Sequence, residues 1–212
     1  MKTRIFNLII LDESGSMQSI KQAAINGMNE TVQSIKAAQN KHEDQEHIVT
    51  LVSFNSSDIK TIYDCVSATD VKELTDTDYI PSCGTPLYDA MGQALNQLRP
   101  KTGSEDKVLV TIITDGEENS SREYDGKAIK ALVEELKGKG WVFAYIGANQ
   151  DVEKVAATIS VTNVLNFTAS HQGTGHMLYR LSRARNAMFD RIADGNFRSE
   201  SENSTFFDET ED

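Results

Sequence analysis

Three apolar runs constrain this chain more than anything else in it: residues 4–11 (RIFNLIIL), 107–114 (KVLVTIIT) and 141–147 (WVFAYIG). Each lacks the in–out alternation of a half-solvated strand. Runs of this kind suit strands covered on both faces, the condition of a parallel sheet. Between them lie stretches with helical spacing. Met17, Ile20, Ala24, Met28, Val32 and Ile35 recur every three or four residues. So do Leu87, Ala90, Met91, Ala94, Leu95 and Leu98, and again Ile129, Leu132, Val133 and Leu136. A helix at about 151–158, a strand at about 163–167 and a last helix at about 176–193 follow. Alternating strands and helices predict an α/β fold: a doubly wound, Rossmann-like three-layer αβα sandwich with a mostly parallel sheet. Residues 47–55 and 59–66 read as two strands spaced closely enough for a hairpin, and 71–74 as one helical turn.

The sequence holds 21 Lys and Arg against 32 Asp and Glu, a net charge of −11. That balance argues against a nucleic-acid binder and against attachment to anionic lipid by charge. No run approaches the ~18 apolar residues of a membrane span, and the first one passes directly into Asp12-Glu13 with no cleavage motif. A cytoplasmic protein is expected, with Cys65 and Cys83 as free thiols. One domain over residues 1–195 accounts for the elements. Residues 196–212 carry Glu200, Glu202, Asp208, Glu209, Glu211 and Asp212 against Arg198, and predict an acidic, disordered tail. Such a tail has the chemistry to cap a cation site. Arg180, Arg183, Arg185 and Arg191 predict a solvated basic face on the last helix.

In open α/β sheets, ligands bind beyond the carboxyl ends of the strands where strand order reverses. Two loops at such ends are acidic: Asp12-Glu13-Ser14-Gly15-Ser16 after the first run and Asp115-Gly116-Glu117-Glu118-Asn119 after the second. With strand order 3-2-1-4-5-6 they share one crevice. The helix at 84–100 (GTPLYDAMGQALNQLRP) opens onto the same end, with Thr85 as expected N-cap and Pro86 at its first position. Asp12, Asp115, Ser14, Ser16 and Thr85 would then converge. All are hard oxygen donors, which favours Mg²⁺, Mn²⁺ or Ca²⁺ over zinc or copper. A cation would also relieve the repulsion between the two carboxylates.

The set Asp12-x-Ser14-x-Ser16, Gly84-Thr85-Pro86-Leu87-Tyr88-Asp89-Ala90 and Thr114-Asp115-Gly116 resembles the von Willebrand factor type A (VWA) domain with a complete metal-ion-dependent adhesion site. The likeness covers about residues 4–195. TDGEEN and YIGAN look most like stand-alone prokaryotic or phage-encoded members. The resemblance implies a third strand running antiparallel at the sheet edge. It implies Ser14 and Ser16 as direct metal ligands, Thr85 as direct or water-mediated, and Asp12 and Asp115 acting through water or hydroxyl partners. It further implies a metal-dependent protein-binding function, with a partner supplying an Asp or Glu ligand; relatives often work with AAA-type ATPases or multiprotein complexes. The alternative is a metal-dependent phosphohydrolase-like enzyme using Asp12 and Asp115. Haloacid-dehalogenase-like enzymes want a second Asp where this chain has Ser14. GxxxxGK[ST], GxSxG and HExxH motifs are absent, and His42, His47, His171 and His176 lie away from the acidic motifs, so catalysis is not expected.

Overall fold

The computed structural model describes residues 2–115, 117–148, 152–168 and 170–207, without the side chain of His171. The strands are β1 (Thr3–Asp12), β2 (Gln45–Asn55), β3 (Asp58–Ser67), β4 (Lys107–Thr114), β5 (Trp141–Ala148) and β6 (Asn163–Phe167). They form one sheet in the order β3-β2-β1-β4-β5-β6. β3 runs antiparallel to β2 as its hairpin partner, and the other pairs are parallel. The helices are α1 (Lys21–Lys41), α2 (Leu87–Leu98), α3 (Gly126–Gly138), α4 (Val152–Thr158), α5 (His171–Ala193) and α6 (Ser199–Thr205). The α/β sandwich expected from the alternation is therefore the fold observed, and β3 runs antiparallel at the edge as the VWA resemblance implied. No described helix is long and apolar enough to cross a membrane. Cys65 and Cys83 are both free.

β1 shows why its run could not alternate. Ile5, Ile9 and Leu11 join the core under α1 and α5, with Met28, Val32, Ile35, Leu181 and Met188. Phe6, Leu8 and Ile10 face the other way, into the core under α2, α3 and α4, with Met91, Leu95, Val133 and Ala156. A strand buried on both sides has no place for a polar stripe. α1 lies on one face and α2, α3 and α4 on the other, so the strand order reverses between β1 and β4. Their carboxyl ends flank the switch point.

Several local expectations are corrected. Residues 71–74 do not form a helical turn; a short 3-10 turn lies at Ala68–Asp70, and Val71 and Leu74 are core side chains. The last helix starts at His171, because Ser170 caps it by accepting the Gly173 N–H at 3.0 Å. The basic face is not uniformly solvated. Arg185 follows Leu181 by one turn and shares its inward stripe, so it is fully buried. It donates to the hydroxyls of Ser34 and Thr111, each at 3.2 Å, and burial pulls its pKa down to about 9 against the opposing attraction of Glu30.

The expected disordered tail is not seen over residues 196–207. α6 packs on β5 and β6, and Phe206 and Phe207 enter the core beneath α5. Asn203 explains the fit. β6 pairs with β5 only from Ala144 onward, leaving the start of β5 without a strand on that side. The Asn203 carboxamide stands in for one: it donates to the Trp141 carbonyl at 2.7 Å and accepts the Phe143 N–H at 3.1 Å. Glu202 is buried against Arg191, whose Nε donates to it at 2.6 Å. Composition averaged over the tail hides these specific partners. α6 also sits at the amino ends of β5 and β6, opposite the switch point, so this part of the tail does not cap the acidic loops. Residues 208–212, with the remaining acids, lie outside the described residues.

Candidate functional site

The register of β1 on β4 sets Leu11 opposite Ile113, so Asp12 and Thr114 leave the sheet side by side. The Thr114 hydroxyl donates to Asp12 Oδ2 at 2.6 Å, and the Ser14 N–H donates to Oδ1 at 2.7 Å. The second bond is the turn that an Asp two residues ahead of its partner N–H favours. It swings the chain back so that the Ser14 and Ser16 hydroxyls lie 3.1 Å apart. Ser16 donates its proton to Asp115 Oδ1 at 2.7 Å, so Ser14 is the donor to Ser16. Asp12, Ser14, Ser16 and Asp115 are thus brought into one chain of contacts across two loops.

Thr85 reaches this end of the sheet through its neighbours. Segment 79–85 is stitched to segment 12–15: the Tyr79 hydroxyl donates to the Asp12 carbonyl, Ser82 N–H to the Glu13 carbonyl at 2.9 Å, and Gly15 N–H to the Cys83 carbonyl at 2.9 Å. Thr85 itself is buried and clasped by Asn119, whose side chain accepts the Thr85 N–H at 2.8 Å and whose N–H donates to the Thr85 carbonyl at 3.1 Å. Among the described residues its hydroxyl makes no hydrogen bond to the other four. It is not the helix cap either: α2 starts at Leu87, and Pro86 occupies the cap position. The free N–H groups of that helix end are met from the loop after β4. Glu118 accepts the Tyr88 N–H at 3.0 Å, and the Ser121 hydroxyl accepts the Asp89 N–H at 3.1 Å. In return the Asp89 carboxylate accepts the N–H groups of Arg122, Glu123 and Tyr124 at 2.7–2.9 Å. Gly84 belongs to this clasp by necessity, because a Cβ there would meet Ser120 Oγ at 2.8 Å and Asn119 Oδ1 at 2.9 Å.

The acids therefore divide by role. Glu118 and Asp89 hold the loop and helix together, and Glu13 accepts the Ile80 N–H at 2.8 Å and the Ser53 hydroxyl. Glu117 is exposed on the rim. Asp12 and Asp115 are different. Asp12 is fully buried, and burial is the main cause that pushes its pKa up to about 6; the Thr114 and Ser14 hydrogen bonds oppose this, and Asp115 adds to it. Burial likewise raises Asp115, against the Ser16 hydrogen bond. Among the described residues, the hydrogen-bond partners of both carboxylates are neutral.

Sequence reasoning missed Tyr79, Ser121 and the role of Thr114. Tyr79 is buried, and burial beside Asp12, Glu13 and Asp115 raises its phenol pKa strongly, so it stays a proton donor. The position of Thr114 as the last β4 residue before Asp115 was the available signal.

Among the described residues, no three His, Cys, Asp or Glu side chains come together as a metal cluster. A cation at this end would thus rest on two carboxylates and on hydroxyl oxygens. That donor set fits a hard divalent ion, and the two carboxylates, which have no positive partner among the described residues, fit it electrostatically.

A family model described as von Willebrand factor type A domain matches residues 8–185. No curated protein matches the chain. Among solved structures, proximal thread matrix protein 1 from the mussel byssus is 16% identical, with a TM-score of 0.59 over 87% of this chain and 46% of that one. The chain thus spans about half the length of that structure. The SpRpn10 VWA domain is 11% identical, with a TM-score of 0.57 over 85% of this chain and 95% of that chain. The vWF domain of the type V pili tip protein Mfa5 from Porphyromonas gingivalis is 12% identical, with a TM-score of 0.54 over 93% and 98% of the two chains. At these identities the likeness speaks for the fold.

Proposed function

The chain belongs to the von Willebrand factor type A family, and from that premise we propose a divalent-metal-dependent protein-binding module. In this reading Asp12, Ser14, Ser16, Thr85 and Asp115 hold Mg²⁺, or Mn²⁺ or Ca²⁺, and the occupied site recognises an Asp or Glu of a partner protein. The observation that carries it is the Asp12 carboxylate: fully buried, raised to about 6, and set beside a second raised carboxylate with no Lys, Arg or His among its partners in the described residues. A buried charge in that state is costly unless an opposite charge joins it.

A bound cation would supply positive charge and exchangeable positions for an oxygen ligand. The protein's own groups do the orienting. Thr114 and the Ser14 N–H fix both oxygens of Asp12, and Ser16 ties Asp115 to the first loop. Because the hydroxyl donors are neutral, they would leave the ion's charge largely available to a partner carboxylate. We propose no catalytic step. His42 is bonded to Asp190 at 2.7 Å, and burial lowers the His47 pKa to about 4, which suits packing and not proton transfer at this site. The same reading makes this a cytoplasmic component of a larger assembly, an AAA-type ATPase complex being one candidate partner.

The test is calorimetric titration of the wild type and Asp12→Asn with Mg²⁺ and Mn²⁺, followed by affinity capture from native lysate with Mg²⁺ or EDTA. Heat and a thermal shift in the wild type alone, with a partner retained only in Mg²⁺, are expected. Absence of heat and shift in the wild type would overturn the reading.

A further inference from the structure

Around the oxygen cluster the rim is almost wholly polar: Ser16, Ser56, Ser57, Ser82 and Glu117 are all exposed. The exposed Cys83 thiol is in contact with the Ser57 hydroxyl at 3.1 Å, which leaves Ile80 as the one exposed hydrocarbon side chain described on this rim. Ile80 is 63% exposed, and among the described residues the other large exposed hydrophobic is Tyr179, on α5. Tyr179 has a partner on its own helix: the Arg183 guanidinium lies 5.5 Å from the ring centroid and donates to the phenol oxygen at 3.0 Å. Ile80 has no such cover.

Ile80 is also held in place. Its N–H donates to Glu13 Oε1 at 2.8 Å, the preceding Tyr79 is buried with its hydroxyl on the Asp12 carbonyl, and Ser82 N–H bonds the Glu13 carbonyl at 2.9 Å. Pro81 follows, and a proline restricts the residue before it to extended backbone. The side chain is therefore presented from a segment tied on both sides to the loop that carries Asp12 and Ser14. Scattered exposed apolar residues are ordinary on a surface. An isoleucine fixed by flanking hydrogen bonds, on a hydroxyl-rich rim and beside a carboxylate-recognition site, is arranged to meet something.

We propose that Ile80 is a specificity-determining residue, selecting polypeptide segments in which the recognised Asp or Glu has an aliphatic neighbour. The inference deepens the metal-dependent reading above and rests on it. The carboxylate would provide the polar anchor, and the aliphatic side chain would leave water against Ile80. Hydroxyl-flanked carboxylates would gain only the anchor. Desolvating roughly half of an isoleucine side chain corresponds to a preference of about fivefold.

The probes are acetylated, amidated tripeptides, Leu-Asp-Leu, Ser-Asp-Ser and Leu-Asn-Leu. They are titrated in MgCl₂ into the ¹⁵N-labelled full chain and into Ile80→Ser, with binding followed by amide chemical shifts. Leu-Asp-Leu should bind the wild type about fivefold more tightly than Ser-Asp-Ser. The ratio should fall close to one in Ile80→Ser, with the affinity for Ser-Asp-Ser unchanged. Equal affinities of the two Asp peptides for the wild type overturn the role of Ile80 and leave the metal reading standing. Binding of Leu-Asn-Leu as tight as Leu-Asp-Leu overturns it as well, since the apolar contact would then act without the carboxylate. If neither Asp peptide binds in Mg²⁺, or if both bind equally well in EDTA, the metal reading itself falls. Ile80 is exposed, so the variant should fold, and its thermal melt checks this directly.

Discussion

Asp12→Asn should stabilise the metal-free protein near neutral pH while abolishing its response to Mg²⁺. Asp12 has a pKa of about 6 in the fold against an ordinary 3.8, with burial as the first cause. The sign follows from proton binding. Between those values the folded chain holds this proton more tightly than the unfolded chain does, so stability falls as pH rises through the window. The stabilising share is complete below about pH 4 and lost above about pH 6. At 1.36 kcal/mol per unit, the shift corresponds to about 3 kcal/mol, of which about 2 falls between pH 4.5 and 7. For a chain of this size that full amount is about 6–12 °C in Tm. Asparagine keeps an acceptor for the Ser14 N–H, and the Thr114 hydroxyl can turn to accept from its amide. The assay is urea unfolding in EDTA from pH 4.5 to 8, taken as the difference between wild type and variant so that shared titrations cancel. The difference should move in favour of Asp12→Asn as pH rises. Saturating Mg²⁺ should then restore the wild type, by about 2.7 kcal/mol at a hundredfold excess over Kd, and leave the variant unmoved. A wild-type-minus-variant difference that stays flat across this pH range would refute the argument from burial.

Three other perturbations probe the scaffold. Asn203→Ala should cost about 2–4 kcal/mol in urea unfolding, because it strips partners from the Trp141 carbonyl and the Phe143 N–H; a loss under about 0.5 would mean water replaces them. Arg185→Met should be neutral or stabilising, since it removes a buried cation whose partners are neutral hydroxyls, and a clear drop in denaturation midpoint would contradict that. Gly92→Ala should destabilise by about 1–3 kcal/mol, because its Cβ would lie 2.5 Å from the Tyr124 ring; an unchanged melting curve would show that the loop after β4 yields easily.

The sheet was legible in the sequence because burial on both faces leaves a one-dimensional trace. β1 and β4 are buried at nearly every position; β1 ends on Asp12, and Asp115 directly follows β4. The two acidic loops were legible for the same reason, since topology brings the ends of β1 and β4 together without further information. What could not be read depended on partners distant in the chain. Thr85 looked like a cap because its local context is a good one. The groups that actually meet the helix end are Glu118 and Ser121, some thirty residues later. The acidic tail looked unstructured because composition ignores pairing, and Glu202 is neutralised by one arginine on α5. Arg185 was a failure of a different kind. Its spacing from Leu181 places it inward, and the helical period prevails over the charge.

The Asn203 contact bears on how the chain is made. β1, which is made before the other five strands, lies in the middle of the sheet, while the groups at the start of β5 find their last partner only once residue 203 exists. The core beneath α5 likewise waits for Phe206 and Phe207. Throughout elongation, then, a nascent chain can assemble both acidic loops and still expose one raw sheet edge and an open apolar seam. That interval is when it is most open to chaperones and to pairing with a neighbouring chain.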